Sequence, residues 1–400
     1  MGLYRFLMSF KKYSLKVATT FRVFIFLLIL HAAGLFAGCS VYSAFNTVFN
    51  EEWTQNQIIA PKTGTPRIEY LNSIPVIHLY GNPYEMGNQY GKILNKQLEA
   101  LEFISQKFFS KATFEKYLEQ AENLQPNLPY ETLEFISGMA VSSGVDYHRL
   151  LALNTVPKTT CSVLAVWGDA TSDGRLLMGR NADYNFKKIN KGLGLIVVKH
   201  PNTGNATVSS SFLGLAGTFT GMNEKGVCYG NMLVYNGFEK ENYTGGLPVQ
   251  LLMQQAAENS NTAREMTDYL TARKHIIPVN VMCADSTEAI VLELGQEKFA
   301  IREGEKKVLA ATNYFYSSGM FESPENDLRL SLLLNVARKN YGQFNLENLK
   351  TAMHHARRRN QNLQCVLFEP SLKTMHVSMN NVPASKGPFF AYNLEKLFEK

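Results

Sequence analysis

The chain has 400 residues, of which 45% are hydrophobic and 18% are charged. This composition is ordinary for a globular protein and argues against a disordered, a collagenous or a multi-span membrane chain. The formal net charge is +6, and the first 38 residues hold five basic and no acidic side chains. The remaining residues carry 35 basic and 34 acidic side chains, so the folded part is almost neutral. We therefore expect no nucleic-acid-binding face.

The first 38 residues have the pattern of an export signal. Five basic residues precede the apolar run VFIFLLILHAAGLFAG, and small residues come directly before Cys39. The ending LFAGC resembles a bacterial lipobox, whose Cys is lipidated and becomes the new N-terminus. Residues 1–38 are thus predicted as a lipoprotein signal peptide and residues 39–66 as a polar tether, which would place the protein in the cell envelope on a lipid anchor. The alternative is an uncleaved anchor, in which a tilted helix over residues 19–37 crosses the membrane.

Helical signals fill residues 82–156. Asn82 fits an N-cap, Pro83 the first helical position and Glu85 the third, and apolar residues follow at helical spacing. From Cys161 onward the pattern changes to short β-branched and aromatic runs separated by turn pairs, which predict strands.

The second half of the chain alternates between the two patterns. Helices are predicted near residues 248–274, 326–339 and 346–357, with strands between the first two, and a hairpin of NLQCVLFEP with KTMHVSMN follows the last helix. Strand blocks with hairpin links, flanked by helix blocks, predict antiparallel sheets covered by helices.

The cysteines give a candidate nucleophile but no metal site. There is no CxxC, CxxH or HExxH spacing and no carboxylate–His cluster, so we predict neither a cofactor nor a metal. Cys228, Cys283 and Cys365 each lie in an apolar strand-like run, which is typical of buried structural thiols. Cys161 differs, because it follows the polar stretch PKTT and opens a strand. A Cys at such a junction is a candidate nucleophile.

Polar residues recur in a defined order downstream of that cysteine. Arg180 and Asp183 share one apolar strand, and Asn231 follows the turn sequence NEKG. Asn313 stands in a Thr-Asn pair at the end of another strand, and Arg329 follows Asp327 at the start of a predicted helix. Each of these features is weak alone, and their order carries the information.

Taken together, these residues resemble the N-terminal-nucleophile cysteine hydrolases of the isopenicillin-N acyltransferase type, relatives of choloylglycine hydrolase and penicillin V acylase. The resemblance runs from about Arg67 to Ser378, and the segment HLYGNPYEMGNQYGKIL is similar to the acyltransferase family's N-terminal signature. It implies an α+β fold, a four-layer αββα sandwich of two antiparallel sheets between helical layers. It also implies a helical pro- or α-segment over residues 67–160 and a catalytic segment over residues 161–400.

The resemblance implies that the chain cleaves itself between Thr160 and Cys161. The freed thiol and the new amine would then form the active site. A guanidinium at Arg180 would favour the thiolate, since an ordinary Cys thiol titrates near pH ~8.5. An α-amino group titrates near pH ~8 and can act as the general base, with Asp183 holding it in place.

The remaining site residues would stabilise the oxyanion that forms when the thiolate attacks a carbonyl. The resemblance assigns this role to the side-chain amide of Asn313 and to a backbone N–H near Asn231, each donor contributing about 3 kcal/mol. Arg329 matches a late Arg of the family and completes the predicted set.

The implied reaction is hydrolysis of a non-peptide C–N amide, or acyl transfer to an amine, through a thioester on Cys161. The expected partner is an N-acylated small molecule, and a homo-oligomer is left open. One alternative is a Cys–His protease with His354 or His355 as base, although adjacent residues point to different faces of a helix. The other is a lipid-anchored binding protein that keeps the fold without turnover.

Overall fold

A computed structural model describes residues 64–108, 110–155, 160–184, 192–234, 245–320 and 326–399. The predicted signal peptide, the predicted lipidation site Cys39 and nearly all of the predicted tether lie outside these ranges. Within them, none of the helices has the length and apolar character that a membrane crossing requires.

The helices in these ranges follow the predicted blocks closely. In chain order they are α1 (Pro83–Ile93), α2 (Asn95–Phe108), α3 (Lys111–Leu124), α4 (Tyr130–Ser143), α5 (Tyr147–Thr155), α6 (Val249–Asn259), α7 (Ala263–Thr271), α8 (Leu328–Lys339), α9 (Leu346–Ala356) and α10 (Leu394–Phe398). The start of α1 is confirmed in detail, because Asn82 Oδ1 accepts from the Glu85 N–H at 2.9 Å and Glu85 Oε2 accepts from the Asn82 N–H at 2.8 Å. This reciprocal pair is a capping box.

The strands form two sheets. They are β1 (Arg67–Leu71), β2 (Ile74–Gly81), β3 (Thr160–Gly168), β4 (Gly174–Asp183), β5 (Gly194–Pro201), β6 (Thr207–Phe212), β7 (Thr220–Asn223), β8 (Cys228–Leu233), β9 (Val279–Ala284), β10 (Ala289–Leu294), β11 (Phe299–Glu303), β12 (Val308–Ala311), β13 (Asn362–Glu369), β14 (Thr374–Met379) and β15 (Phe390–Asn393). The nine-stranded sheet has the order β1-β2-β5-β6-β7-β8-β9-β10-β11, and the six-stranded sheet has the order β12-β3-β4-β13-β14-β15.

Three apolar layers show the predicted αββα sandwich. The first lies between the sheets and joins side chains such as Val163 and Val366 of one sheet to Val198 and Met282 of the other. The second lies between the nine-stranded sheet and α6 with α7, and the third between the six-stranded sheet and α8 with α9. Each sheet thus buries one face on its partner and the other on helices.

The segment before Cys161, which was predicted as mainly helical, also contains two strands. β1 and β2 form a hairpin, and β2 pairs in parallel with β5 over six positions, from Val76 opposite Ile196 to Gly81 opposite Pro201. The other strand pairs in both sheets are antiparallel, as predicted. A parallel pair needs a crossover connection, and here it consists of α1 to α5 followed by β3 and β4 of the other sheet.

Buried hydrogen bonds also tie this first segment to the rest of the chain. Asn154 in α5 donates to the Gly214 carbonyl at 3.0 Å and accepts from the Ala216 N–H at 2.7 Å. The Gly214 N–H donates to the hydroxyl of Tyr90 in α1 at 2.9 Å. All of these polar groups are buried, so each pairing satisfies a donor or acceptor that cannot reach water.

Candidate active site

Cys161 lies at the start of β3, which runs between β12 and β4 in the six-stranded sheet. Its neighbour across the β3–β4 ladder is Ala182, and Thr160 stands opposite Asp183. The side chain of Cys161 is fully buried and belongs to the apolar layer between the two sheets. The predicted cleavage site is therefore held inside a β-ladder, with its sulfur directed at the facing sheet.

Arg180 spans the gap between the sheets and contacts that sulfur. Its Nη2 lies 3.0 Å from Cys161 Sγ, and its Nη2 and Nε donate to the Asn231 carbonyl at 3.0 Å and 3.3 Å. Its Nη1 donates to the Thr220 hydroxyl. Burial lowers the pKa of Arg180, and a negative charge on Cys161 opposes this effect. The guanidinium is thus placed to stabilise a thiolate.

Asp183 lies on the opposite face of the same strand, because residues three apart in a β-strand point to opposite sides. It forms an ion pair with Arg329, whose Nη2 lies 3.0 Å from Asp183 Oδ2. The Arg358 N–H donates to the same oxygen at 3.2 Å, and Asn362 Nδ2 donates to Oδ1 at 2.9 Å. Burial raises the pKa of Asp183, and the positive charge of Arg329 opposes the shift.

Asn313 connects the cysteine to this ion pair. Its Oδ1 accepts from the Cys161 N–H at 3.1 Å and from Arg329 Nη1 at 3.0 Å, while its Nδ2 donates to the Leu233 carbonyl. Two donors on one side and a carbonyl on the other determine the orientation of the amide. Asn313 thus presents its oxygen to Cys161, whereas the sequence analysis assigned its N–H groups to an oxyanion.

In Asn231 the side-chain oxygen is paired and the side-chain nitrogen is not. Its backbone N–H, the group that the sequence analysis favoured, donates to the Phe219 carbonyl at 3.3 Å. Its side-chain Oδ1 accepts from Arg180 Nη2 at 3.3 Å, and its Nδ2 is buried without a hydrogen-bond partner in the described structure. An unpaired buried amide costs about 1–3 kcal/mol. This donor is therefore available for a group that enters the site.

The structure brings all six predicted site residues together. Cys228, Cys283 and Cys365 are buried, and burial raises the pKa of each thiol, that of Cys283 to about 12, as expected for structural cysteines. His354 lies near the end of α9, where its Nδ1 is 3.2 Å from the Ser385 hydroxyl. Within the described ranges, no group of three or more His, Cys, Asp or Glu side chains could hold a metal ion.

Two site residues were missed in the sequence. Thr220 accepts from Arg180, and Asn362 donates to both Asp183 and Asn181, the latter at 3.1 Å. Each lies at the start of a strand and outside the predicted motifs, so no local pattern marks it as a site residue. Thr312 and Asp327 stand within the predicted motifs, beside Asn313 and Arg329.

Comparison with known proteins finds a match to a family of amide hydrolases in the part of the chain that begins at Cys161. Residues 161–321 match the family model of linear amide C-N hydrolases, choloylglycine hydrolase family. Protein dcd1B of Dictyostelium discoideum is 23% identical over 384 residues, which cover 82% of this chain and 76% of that protein. An uncharacterized protein of Archaeoglobus fulgidus is 25% identical over 272 residues, or 57% of this chain and 44% of that protein.

The solved structures that are similar to this one include an amidase ortholog and an acylase. The N-acylethanolamine-hydrolyzing acid amidase ortholog of Caenorhabditis elegans has a TM-score of 0.43 and 16% identity, and the match covers 53% of this chain and 94% of that chain. Penicillin V acylase from Agrobacterium tumefaciens has a TM-score of 0.40 and 15% identity, with 60% of this chain and 87% of that chain covered.

Proposed function

We propose that this protein is a cysteine amidohydrolase that cleaves itself before Cys161 and then acts on the amide bond of N-acylated small molecules. The observation that carries the proposal is the contact of the buried Arg180 guanidinium with Cys161 Sγ at 3.0 Å. A fully buried cation beside a thiol stabilises its ionised, nucleophilic form. The family match over residues 161–321 independently supports amide chemistry.

Self-cleavage begins when the Cys161 thiolate attacks the carbonyl carbon of Thr160. The C–N bond between the two residues breaks, the nitrogen takes a proton, and the Thr160 acyl group is transferred to Sγ. Water then hydrolyses this thioester, which releases a Thr160 carboxylate and restores the thiol. Asn313 supports the first step, because its Oδ1 holds the Cys161 N–H and fixes the scissile peptide against the sulfur.

Amide hydrolysis uses the new amine as general base. The amine takes the thiol proton, the thiolate attacks the substrate carbonyl, and the same proton passes to the leaving amine. The acyl group stays on Cys161 until water removes it. We assign the oxyanion donor to Asn231 Nδ2, since this buried N–H has no other partner in the described residues. Asn313 Oδ1 would accept from the amine and direct its lone pair toward the sulfur.

An amine in place of water would make the enzyme an acyltransferase. The two outcomes share every step up to the thioester and differ in how well water reaches it. We propose hydrolysis as the main reaction because the family model that matches is one of hydrolases. Adding hydroxylamine during turnover distinguishes the two, since a site open to amines yields the acyl hydroxamate instead of the free acid.

The test of the proposal is mass analysis of the body that begins after Cys39, beside its Cys161→Ala variant. A new chain that begins at Cys161 in the parent alone would support self-cleavage. The processed parent should then hydrolyse at least one member of a panel of N-acyl p-nitroanilides of graded acyl length. An active parent that stays whole would instead favour a Cys–His protease, which replacement of His354 or His355 would inactivate. A parent that stays whole and inert would favour a binding protein.

We also propose that the protein is exported and held on the membrane by lipid at Cys39. Support comes from the leader alone, which combines five basic residues, an apolar run and the ending LFAGC. In a bacterial host, the full chain should incorporate labelled palmitate and sediment with membranes, whereas Cys39→Ser should not incorporate label. A membrane-bound Cys39→Ser protein that keeps its leader would favour the uncleaved anchor.

A further inference from the structure

We infer that Asp327 is a positioning residue that fixes Arg329 and Asn313 relative to each other, and hence sets the geometry at Cys161. This inference rests on the proposed function. Asp327 lies directly before α8 and is partly buried. It reaches none of the reacting atoms itself. It acts through Asn313, which accepts from the Cys161 N–H, and through Arg329, which donates to Asn313.

One carboxylate oxygen of Asp327 holds the beginning of α8. Its Oδ1 accepts from the Arg329 N–H at 2.9 Å and from the Leu330 N–H at 3.2 Å, which makes Asp327 the N-cap. The bond to the Arg329 N–H fixes the backbone from which the guanidinium extends. That guanidinium then reaches Asn313, Asp183 and the Ala356 carbonyl, all at about hydrogen-bond distance.

The second oxygen of Asp327 holds the turn that carries Asn313. Its Oδ2 accepts from the Thr312 hydroxyl and from the Tyr316 hydroxyl, the latter at 2.6 Å. Thr312 is fully buried and directly precedes Asn313. Burial and the bond to Asp327 raise the pKa of Tyr316, so this hydroxyl remains a donor.

The same turn is also held from the neighbouring sheet. Asn280 in β9 donates to the carbonyls of Thr312 and Tyr314 at 3.0 Å and 2.7 Å. Glu293 in β10 accepts from the backbone N–H groups of Tyr316 and Ser317 at 2.8 Å and 2.9 Å. The turn is therefore fixed to the nine-stranded sheet, and Asp327 joins α8, which packs on the six-stranded sheet, to that fixed point.

The contact of Asp327 with the turn matters because the hydrogen bond from Arg329 to Asn313 joins α8 to that turn. Asn313 Oδ1 holds the Cys161 N–H, so a shift of α8 against the turn changes the position of the nitrogen that leaves in self-cleavage and serves as base afterwards. A misplacement of about 1 Å can lower a rate about 100-fold. Simple helix capping would explain the Oδ1 contacts but not those of Oδ2.

Asp327→Ser separates these two roles. Serine caps helices about as well as aspartate, but its single short hydroxyl cannot also reach Thr312 and Tyr316. Thr312→Val removes the Thr312 contact of this link to the turn from the other side and leaves the cap and the Tyr316 contact intact. Asn345→Ser is the matched control, because Asn345 caps α9 through the Glu347 and Asn348 N–H groups and has no bond to the turn.

The experiment follows self-cleavage of freshly synthesised chains in a cell-free system by mass at timed intervals. Asp327→Ser and Thr312→Val should each slow cleavage about 10- to 100-fold. The double variant should be no slower than the slower single variant, because both remove one link. Asn345→Ser should cleave at the parent rate, and the melting temperatures should agree within a few degrees.

The opposite results overturn the inference. A parent-like rate in Asp327→Ser shows that capping is its whole role, and multiplied effects in the double variant show two independent contributions. Should Asp327→Ser not fold, the variant that combines Thr312→Val with Tyr316→Phe decides, because it removes both contacts to Oδ2, and a parent-like rate in it overturns the link. If the parent cleaves itself and the variants cleave at the same rate, only this inference is refuted. A parent that neither cleaves nor hydrolyses amides refutes the proposed function with it.

Discussion

Replacing Asn231 with alanine should separate catalysis from stability. In the described structure the Asn231 Nδ2 group is buried with no partner, a cost that the folded protein bears in the absence of substrate. In our mechanism, the Asn231 Nδ2 group gains a hydrogen-bond acceptor only when the negatively charged oxygen of the substrate forms beside it. Asn231→Ala removes the donor, so it should slow the reaction without the loss of stability that a buried polar deletion usually brings.

The two effects can be estimated from the contacts. Removing the unpaired amide returns about 1–3 kcal/mol to the folded state, and losing the 3.3 Å contact with Arg180 costs about 1–3 kcal/mol. The free energy of unfolding should thus stay within about 2 kcal/mol of the parent's. Loss of one oxyanion donor lowers kcat about 100- to 1000-fold, or about 3–4 kcal/mol of transition-state stabilisation.

The assay measures kcat/KM on the best N-acyl p-nitroanilide of the panel and the free energy of unfolding in urea. The control is Asn205→Ala, because Asn205 is also buried but its Nδ2 donates to the Ser260 carbonyl at 2.8 Å. We expect the control to lose stability and keep activity. If Asn231→Ala retains activity within about threefold, or loses more than about 3 kcal/mol of stability, the assignment of Nδ2 as oxyanion donor is wrong.

Three further predictions concern groups around the site and the core. Asn362→Leu removes a hydrogen bond to ionised Asp183, so the pKa of Asp183 should rise further and the acid limb of the pH–rate profile should move to higher pH; an unmoved limb contradicts this. Gly230→Ala places a Cβ 2.6 Å from Arg180 Cδ and should lower activity at least tenfold, as measured by kcat/KM, with far-UV circular dichroism unchanged. Burial lowers the pKa of His275 to about 4, whereas an unfolded His titrates near pH ~6.5. The folded state therefore keeps its full stability above pH ~6.5 and loses about 3 kcal/mol as the pH falls to 4, because the unfolded state binds the proton first. In His275→Gln, urea unfolding should show a smaller loss of stability across that interval, and an identical slope would refute the assignment.

Local patterns predicted much of this fold, because the residues that determine each element are close in the chain. The capping box at Asn82 and the helical spacing after it specify α1 without reference to other elements. The hairpin of β13 with β14 forms as predicted, since its strands are joined by a short connection. The parallel pairing of β2 with β5 was not predicted, because β5 lies more than 100 residues downstream and no local pattern marks such a pairing.

In the candidate site, too, local sequence patterns do not show the contacts between residues that are distant in the chain. The residue types at Cys161, Arg180 and Asp183 carried the prediction of an active site. The direction of the Asn313 amide did not follow, because it depends on donors from β3 and α8 and on the Leu233 carbonyl in β8. The orientation of the Asn313 side chain therefore depends on three elements together, which the order of motifs in the chain cannot convey.

The β2–β5 pairing makes unfolding depend on protein concentration if the chain is cleaved at Cys161. Before cleavage, one covalent chain unfolds and refolds as a unit. After cleavage at Cys161, the segment with β1, β2 and α1 would stay associated through the β2–β5 ladder and the bonds of Asn154, while unfolding would release two separate polypeptides. The midpoint of thermal unfolding should then rise with protein concentration in the processed protein and not in Cys161→Ala. Processing would thus turn folding from a unimolecular into a bimolecular equilibrium, so that a denatured mature enzyme recovers poorly when dilute.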